Sequence, residues 1–319
     1  MLTIILFITG FLFLIKGADL LVDGSASIAK KLKIPSIVIG LTIVAFGTST
    51  PELIVNIFAS AQGNSEIAIG NILGSNIANI LLILGISAMI YPITAQRNTI
   101  LKEIPLNLLA IIILGFMAND MLIDGGTFSA ITRIDGFVLL SFFVIFLYYT
   151  FGIIKSDETT EEKDTIEVFS YFKAILFIFF GLIGLVVGGK WIVDGAVKVA
   201  EFFNVSQSLI GLTVIAVGTS LPELATSAIA AFKKQSDIAI GNVVGSNIFN
   251  IFWIIGISAL IRPLPFNIKS NGDIAMTVFA SLVLFFVMFI GKKRVIERWQ
   301  GVFMFTAYIG YTVFLVLSK

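Results

Sequence analysis

The chain has 319 residues, of which 57% are hydrophobic and 13% are charged, and its mean hydropathy is +1.02. An average soluble domain carries about 25% charged residues, so this composition predicts a membrane protein. The net charge of +1 gives no reason to expect nucleic-acid binding, and the absence of Cys and His excludes disulfides, thiolate metal sites and histidine acid–base chemistry. We therefore expect neither an enzyme nor a bound cofactor.

Ten apolar segments are each long enough to cross a bilayer, which takes about 20 residues as a helix. The first segment lacks the basic start of a signal peptide, and no convincing cleavage site follows it, so we interpret it as a retained span. A charged connector, 155–170, divides the chain into a first half, 1–154, and a second half, 171–319. The predicted helices are 2–23, 35–62, 67–91, 100–118, 131–154, 171–199, 207–232, 238–261, 273–291 and 299–317.

Basic residues are concentrated in the loops on one side of these helices, which predicts that this side is cytoplasmic. Both termini are then extracellular, the 155–170 loop is cytoplasmic, and the protein is a multi-pass protein of the cell membrane. The cytoplasmic loops hold Lys30, Lys31, Lys33, Arg97, Lys102, Lys155, Lys163, Lys233, Lys234, Lys292, Lys293, Arg294 and Arg298. The other side holds Arg133, Lys198, Arg262, Lys269 and Lys319.

The two halves are copies of each other. Residues 22–93 align with 193–264 at an offset of 171 without a gap, and 35 of the 72 aligned positions are identical. Because each half contains five predicted helices, the second half starts from the opposite face of the membrane. Such inverted repeats are typical of secondary transporters, which bind their cargo near the midplane between the repeats.

Each half carries a proline followed by a glutamate inside an apolar segment, in "GTSTPEL" (47–53) and "GTSLPEL" (218–224). Pro51 and Pro222 predict that the second and seventh helices are discontinuous, with carbonyl groups freed near Thr48 and Thr219. A carboxylate in a membrane segment is rare and usually functional, so Glu52 and Glu223 are candidate ligands. Carboxylate, hydroxyl and carbonyl oxygens together predict a site for hard cations such as Ca²⁺ or Na⁺.

The third and eighth helices offer a polar face to the same region. Asn71, Ser75 and Asn79 recur every four residues, and Asn242, Ser246 and Asn250 repeat the pattern. The glycine pairs Gly70/Gly74 and Gly241/Gly245 predict close helix packing. A lone proline commonly produces only a kink, and a polar helix face commonly serves only for hydrogen bonding between helices. The recurrence of all these features at matching positions in both halves favours an ion-binding cage.

The paired motifs, with "GNILGSNIANI" (70–80) and "GNVVGSNIFNI" (241–251), resemble the two alpha-repeats of the cation/calcium antiporter superfamily. Among its branches, the chain is most similar to the prokaryotic sodium/calcium exchangers. The proton-coupled exchangers typically have Asn where this chain has Thr48 and Thr219. The resemblance covers essentially the whole chain and implies Na⁺/Ca²⁺ antiport by alternating access, with electrogenic Ca²⁺ extrusion.

The resemblance also implies roles for particular residues in four clustered cation sites. Glu52 and Glu223 would bridge a central Ca²⁺ site and the flanking Na⁺ sites. The other implied ligands are Thr48, Thr219, Ser49, Ser220, Ser75, Ser246, Asn79, Asn250 and the carbonyls of Ala45 and Ala216.

Two asparagines depart from patterns in this superfamily. Sodium/calcium exchangers often carry Asp at the position of Asn250, and potassium-dependent exchangers carry Asp at the position of Asn79. Asn79 argues against K⁺ co-transport, and Asn250 limits the charge of the cage to that of two glutamates. A Ca²⁺/H⁺ antiporter therefore stays open as the alternative, and a cation channel as a weaker one. We expect the protein to lie in the lipid bilayer without a protein partner and to function as a monomer.

Overall fold

The structure is a computed structural model that describes residues 2–156, 167–202 and 216–317, which are mainly helical. Its first half begins with one long helix and continues with a pair separated by a single residue. The helices of this half are α1 (Leu2–Leu32), α2 (Ser36–Thr48), α3 (Thr50–Gln62), α4 (Ser65–Ile90), α5 (Thr99–Met117), α6 (Asp120–Ile123) and α7 (Arg133–Ser156).

The second half repeats this order within the part of the chain that is described. Its helices are α8 (Tyr171–Phe202), α9 (Ala216–Thr219), α10 (Leu221–Phe232), α11 (Ser236–Ile261), α12 (Asn271–Val287) and α13 (Arg298–Leu317). A short 3-10 turn, Ile268–Ser270, precedes α12.

Eight of the helices in the described ranges are long and apolar enough to cross a membrane, and the α2–α3 pair supplies a ninth span. Helix α10 is apolar but has only 12 residues. The predicted seventh helix, 207–232, begins among residues outside the described part of the chain. Of this helix, the structure describes only α9 and α10. The composition therefore predicted a helical, multi-pass membrane protein correctly.

The predicted end of the first helix was wrong. Helix α1 was expected to end at residue 23, but it continues to Leu32. Asp19 and Asp23 interrupt the apolar run in the sequence, yet in the structure both carboxylates bind the Lys233 ammonium group, at 2.5 and 2.7 Å. An ion pair across the helix interface lets these charges lie within a continuous helix.

Helices α1 and α8 pack backbone to backbone along a glycine seam. A Cβ atom added to Gly10 would lie 2.9 Å from the carbonyl oxygen of Gly188, and one added to Gly181 would lie 2.8 Å from that of Gly17. Gly24 is similarly close to the carbonyl of Ala174, at 2.8 Å. Because the contacts run in opposite directions along the two helices, α1 and α8 are antiparallel.

Two short antiparallel ladders also join the halves. Strand β1 (Ile93–Thr94) pairs with β4 (Val295–Ile296), and β2 (Ala130–Ile131) pairs with β3 (Leu264–Pro265). Each ladder takes one strand from each half. The sequence did not predict these strands, because two-residue ladders carry no hydrophobic period of their own.

Helices α4 and α11 form the centre of the molecule. They are buried along most of their length, whereas less than a third of the residues are buried in the most apolar stretches of α1 and α13, as expected for helices that face lipid. Both central helices widen into a π-helix in the middle, at Ala78–Leu84 and Phe249–Ile255. π-Helical turns are rare and occur frequently at functional sites.

Candidate ion-binding site

The break between α2 and α3 lies at Ser49, where the backbone leaves the helical region (φ −80°, ψ 8°) and the two helices are bent by 48°. Pro51 follows in the first turn of α3, where its missing N–H costs no hydrogen bond. Ser220 has nearly the same conformation (φ −89°, ψ 8°) between α9 and α10. The predicted breaks are therefore present in both halves.

Glu52 is buried at the start of α3, facing the second half. Its Oε1 atom accepts hydrogen bonds from Ser75 on α4, at 3.3 Å, and from Ser220 at the break of the other half, at 3.1 Å. The two serine hydroxyls are themselves 3.1 Å apart. Two serine side chains, one from each half, thus surround one carboxylate oxygen.

Glu223 is surrounded by the equivalent groups. Its Oε1 atom accepts from Ser49, at 2.9 Å, and from Ser246 on α11, at 3.4 Å. Adding or subtracting 171 converts each bond at Glu52 into one at Glu223. The site therefore has approximate two-fold symmetry, with each glutamate bound by the serine at the opposite break.

The threonines at the breaks bind asparagines across the same interface. The Thr48 hydroxyl donates to Asn242 Oδ1 at 3.0 Å, and the Thr219 hydroxyl donates to Asn71 Oδ1 at 3.3 Å. Thr48 is buried and Thr219 is partly exposed. These bonds place the polar faces of α4 and α11 against the breaks, as the spacing of their asparagines and serines indicated.

The two alanines stand at equivalent points before the breaks. The carbonyl oxygen of Ala45 accepts the Ser49 backbone N–H at 3.0 Å and lies 3.3 Å from the Thr48 hydroxyl. Ala216 is the first residue of α9, and its side chain lies outside the described part. The role of these carbonyls as Na⁺ ligands stays a prediction.

Only one of the two predicted glycine contacts is seen in the described residues. A Cβ atom added to Gly241 would lie 3.0 Å from the Gly40 Cα atom, and one added to Gly245 would lie 2.7 Å from the Ala45 Cβ atom. The α2 and α11 backbones are therefore in close contact beside the break. The corresponding partners of Gly70 and Gly74 would come from 207–216, most of which is outside the described part.

Four buried oxygen atoms at this site have no hydrogen-bond partner among the described residues. They are the Oε2 atoms of Glu52 and Glu223 and the Oδ1 atoms of Asn79 and Asn250. Each of these residues is at most 1% exposed. Buried polar atoms are nearly always hydrogen-bonded, so two equivalent pairs of unpartnered acceptors call for a ligand with positive charge.

Two further residues of the site were not singled out from the sequence. Asn76 and Asn247 are buried between α4 and α11, and their side chains bond with Asn250 and Asn79, respectively, at 2.9 Å. The signal was visible in the repeated "GSNI" at 74–77 and 245–248, but both residues lie one position off the four-residue polar pattern.

The molecule thus has two like halves around a buried cluster of oxygen atoms, in a helical protein built to lie within a membrane. Comparison with known proteins identifies the family. The chain belongs to the sodium/calcium exchanger protein family, whose model matches residues 2–152 and 173–317.

Individual relatives match most of the chain. The sodium/calcium exchanger MaX1 of Methanosarcina acetivorans is 32% identical over 343 residues, covering 98% of this chain and 97% of MaX1. The inner membrane protein YrbG of Escherichia coli is 38% identical over 269 residues, covering 81% and 79% of the two chains. A solved structure of the sodium-calcium exchanger NCX_Mj, soaked with 10 mM Na⁺ and zero Ca²⁺, superimposes with a TM-score of 0.83 at 36% identity and covers 97% of both chains.

Proposed function

We propose that this protein is a secondary antiporter that exchanges Na⁺ for Ca²⁺ across the membrane. The observation that carries the proposal is the set of four unpartnered, buried oxygens on Glu52, Glu223, Asn79 and Asn250. Membership of the sodium/calcium exchanger family and the similarity to MaX1 and NCX_Mj point to the same ions. No cofactor or enzymatic step is part of this proposal.

The chemistry of the donors favours hard cations. Ca²⁺ takes six to eight oxygen ligands from carboxylates, carbonyls and hydroxyls, and the described residues of the site offer oxygen donors without Cys or His. Glu52 and Glu223 bridge the bound ions through their free Oε2 atoms. We assign the serines at 49, 75, 220 and 246 and the carbonyls of Ala45 and Ala216 to the flanking Na⁺ sites, with Asn79 and Asn250 in the middle. The threonines at 48 and 219 offer their carbonyls to Ca²⁺ and their hydroxyls or carbonyls to Na⁺.

Charge balance couples the two ions. Within the described residues no group of three or more acidic or other metal-binding side chains is found, so the two glutamates give the cage a charge of −2 at most. One Ca²⁺ neutralises that charge, and so do two Na⁺, which use overlapping oxygens. An empty cage would bury two uncompensated carboxylates, which disfavours its crossing without an ion and enforces exchange.

A third Na⁺ would make each cycle electrogenic. The transfer of one net charge is worth about 2.3 kcal/mol per 100 mV of membrane potential. An inward Na⁺ gradient, together with a negative interior, then drives Ca²⁺ out of the cell. Because the two glutamates carry a charge of −2 at most, they neutralise two Na⁺ ions but not the third.

The proposed architecture is that of ten spans in two inverted five-helix halves, 1–154 and 171–319, joined by the connector 155–170. The antiparallel packing of α1 and α8 supports it, and so do the two ladders, each of which pairs a strand of the first half with a strand of the second. The basic loops favour a cytoplasmic connector with both termini outside, in the cell membrane. The two copies of the site close within one chain, which supports a functional monomer.

Proteoliposomes loaded with Na⁺ and diluted into ⁴⁵Ca²⁺ test the function. We expect uptake with internal Na⁺ and none with internal choline or K⁺ at matched pH. Glu52→Gln and Glu223→Gln should each abolish it, because the amide removes both the charge and one oxygen acceptor. Glu103→Gln is the matched control, since Glu103 is equally buried but lies on α5, where it accepts a hydrogen bond from Tyr149.

The alternatives give different results in the same vesicles. Uptake driven by a pH gradient without Na⁺ would contradict sodium coupling and indicate a Ca²⁺/H⁺ antiporter. Uptake into choline-loaded vesicles that follows the membrane potential, without counter-flow, would indicate a channel. Uptake that survives both cage substitutions, or is equally lost in Glu103→Gln, would contradict the assignment of the site.

A further inference from the structure

Asn76 and Asn247 are residues of the site to which the ion chemistry above assigns no role. Each is fully buried, and they face each other across α4 and α11. The Asn76 Nδ2 group donates to the backbone carbonyl of Asn247 at 3.3 Å, and the Asn247 Nδ2 group donates to that of Asn76 at 3.4 Å. This reciprocal pair fixes both side-chain amides between the two central helices.

The other end of each fixed amide is an acceptor for a cage residue. Asn76 Oδ1 accepts from the Nδ2 group of Asn250, and Asn247 Oδ1 accepts from the Nδ2 group of Asn79, both at 2.9 Å. Asn76 and Asn247 therefore use both ends of their side chains in protein contacts. They have no free oxygen for an ion, which separates them from Asn79 and Asn250.

These bonds determine which end of each cage amide can face an ion. With Nδ2 bound, Asn79 and Asn250 each keep Oδ1 unpartnered and buried. A rotated amide would bring Oδ1 against the oxygen of Asn247 or Asn76 and turn two N–H groups towards the ions. Both effects are unfavourable, since two acceptors repel each other and an N–H group repels a cation.

We propose that Asn76 and Asn247 are positioning residues that hold the Asn250 and Asn79 amides with their oxygens towards the bound ions. The inference rests on the proposed function for the identity of those ions. It also assigns a reason for asparagine at 79 and 250. A carboxylate there has no hydrogen to donate, so an Asp side chain would oppose the fixed acceptor. By requiring amides at 79 and 250, the positioning pair also limits the charge of the cage to that of the two glutamates.

A double-mutant cycle tests the pairing, because a positioning effect must vanish when the positioned amide is absent. We expect Asn76→Leu to weaken Ca²⁺ binding about tenfold, which is within the range for leaving a buried polar group without its partner. In an Asn250→Ala background the same substitution should change Ca²⁺ binding less than twofold. In an Asn79→Ala background it should keep nearly its full effect, since Asn79 bonds with Asn247 instead.

Asn247→Leu provides the second variant, with the partners exchanged. It should leave Ca²⁺ binding nearly unchanged in the Asn79→Ala background and weaken it in the Asn250→Ala background. Ca²⁺ binding is measured on the purified full chain by isothermal titration calorimetry, with size-exclusion profiles and thermal midpoints recorded for every variant. The half-saturating Ca²⁺ concentration for ⁴⁵Ca²⁺ uptake should rise with little change in the maximal rate.

A purely structural role gives another pattern. Equal losses of affinity in all backgrounds, or losses that follow the thermal midpoint, would overturn the inference while leaving Na⁺/Ca²⁺ exchange by the parent protein intact. Parent protein that binds Ca²⁺ without Na⁺-driven uptake would overturn the proposed function, and the cycle would still test the pairing. Parent protein that binds neither ion would overturn both.

Discussion

Lys233 connects α10 to α1, and its removal should change the balance between conformations. It follows the last residue of α10, the helix that carries Glu223, and its Nζ atom lies 2.5 Å from Asp19 and 2.7 Å from Asp23 on α1. The equivalents of Lys233 and Asp19 in the other copy are Gln62 and Lys190, so the sequence does not repeat this contact. If α1 moves against α10 during transport, the contact belongs to one state only.

The size of the effect follows from the exposure of the three side chains. The lysine is 25% exposed and the two aspartates are 35% and 39% exposed, so solvent screens both pairs. Partly exposed ion pairs contribute about 0.5 kcal/mol each, which gives about 1 kcal/mol for the two. Lys233→Gln should therefore shift the equilibrium away from the state described here about fivefold.

Double electron–electron resonance measures this shift directly, because the chain has no Cys and takes labels at chosen positions. Leu32→Cys at the end of α1 and Ile90→Cys at the end of α4 are both exposed sites. The control is Lys234→Gln, which removes the same charge one residue further on. A distance distribution unchanged by Lys233→Gln, or changed equally by Lys234→Gln, would refute the reasoning.

Three further predictions concern the seam, the breaks and the topology. Gly181→Val should slow transport and lower the thermal midpoint, because even its Cβ would lie 2.8 Å from the α1 backbone. The control, Gly152→Val on α7, should do neither, because its added Cβ has no described neighbour within 4 Å. Ser220→Ala should weaken Ca²⁺ binding about tenfold by removing a hydrogen bond to the Glu52 carboxylate, and an affinity unchanged in calorimetry would contradict this. In intact cells, a membrane-impermeant maleimide should label Lys269→Cys but not Lys163→Cys, and the reverse labelling would show that the proposed orientation is wrong.

The helix breaks and the paired glutamates could be predicted because their signals are local. Proline removes a donor wherever it occurs, and a carboxylate within an apolar run is visible in the sequence alone. The internal repeat then doubled each signal. The same reasoning placed Ser75 and Ser246 on the inner faces of α4 and α11, where they do bind the glutamates.

The pairing across the halves could not be predicted in this way. That Ser220 binds Glu52, and Ser49 binds Glu223, depends on the two-fold arrangement of elements far apart in sequence. Asn76 was missed because a regular helix places it beside the polar face formed by Ser75 and Asn79. The π-helix that begins at Ala78 was also not predicted, because backbone hydrogen-bond spacing of that kind has no residue signature.

The end of α1 was misjudged for a related reason. A count of charged residues treats Asp19 and Asp23 as costs to a membrane helix. Their partner, Lys233, is more than 200 residues away, so only the folded chain supplies the compensating charge. Charge in a membrane segment marks either an end or a contact, and the sequence alone does not separate the two.

Competition between Na⁺ and Ca²⁺ for the purified protein tests the shared cage most directly. Calorimetric Ca²⁺ titrations at rising Na⁺, with total ionic strength held constant by choline, give the Ca²⁺ dissociation constant as a function of Na⁺. We predict that a plot of its logarithm against that of the Na⁺ concentration has a slope above 1, because more than one Na⁺ replaces each Ca²⁺, and that K⁺ has no such effect. A Ca²⁺ affinity independent of Na⁺, or lowered equally by K⁺, would contradict a common site on Glu52 and Glu223.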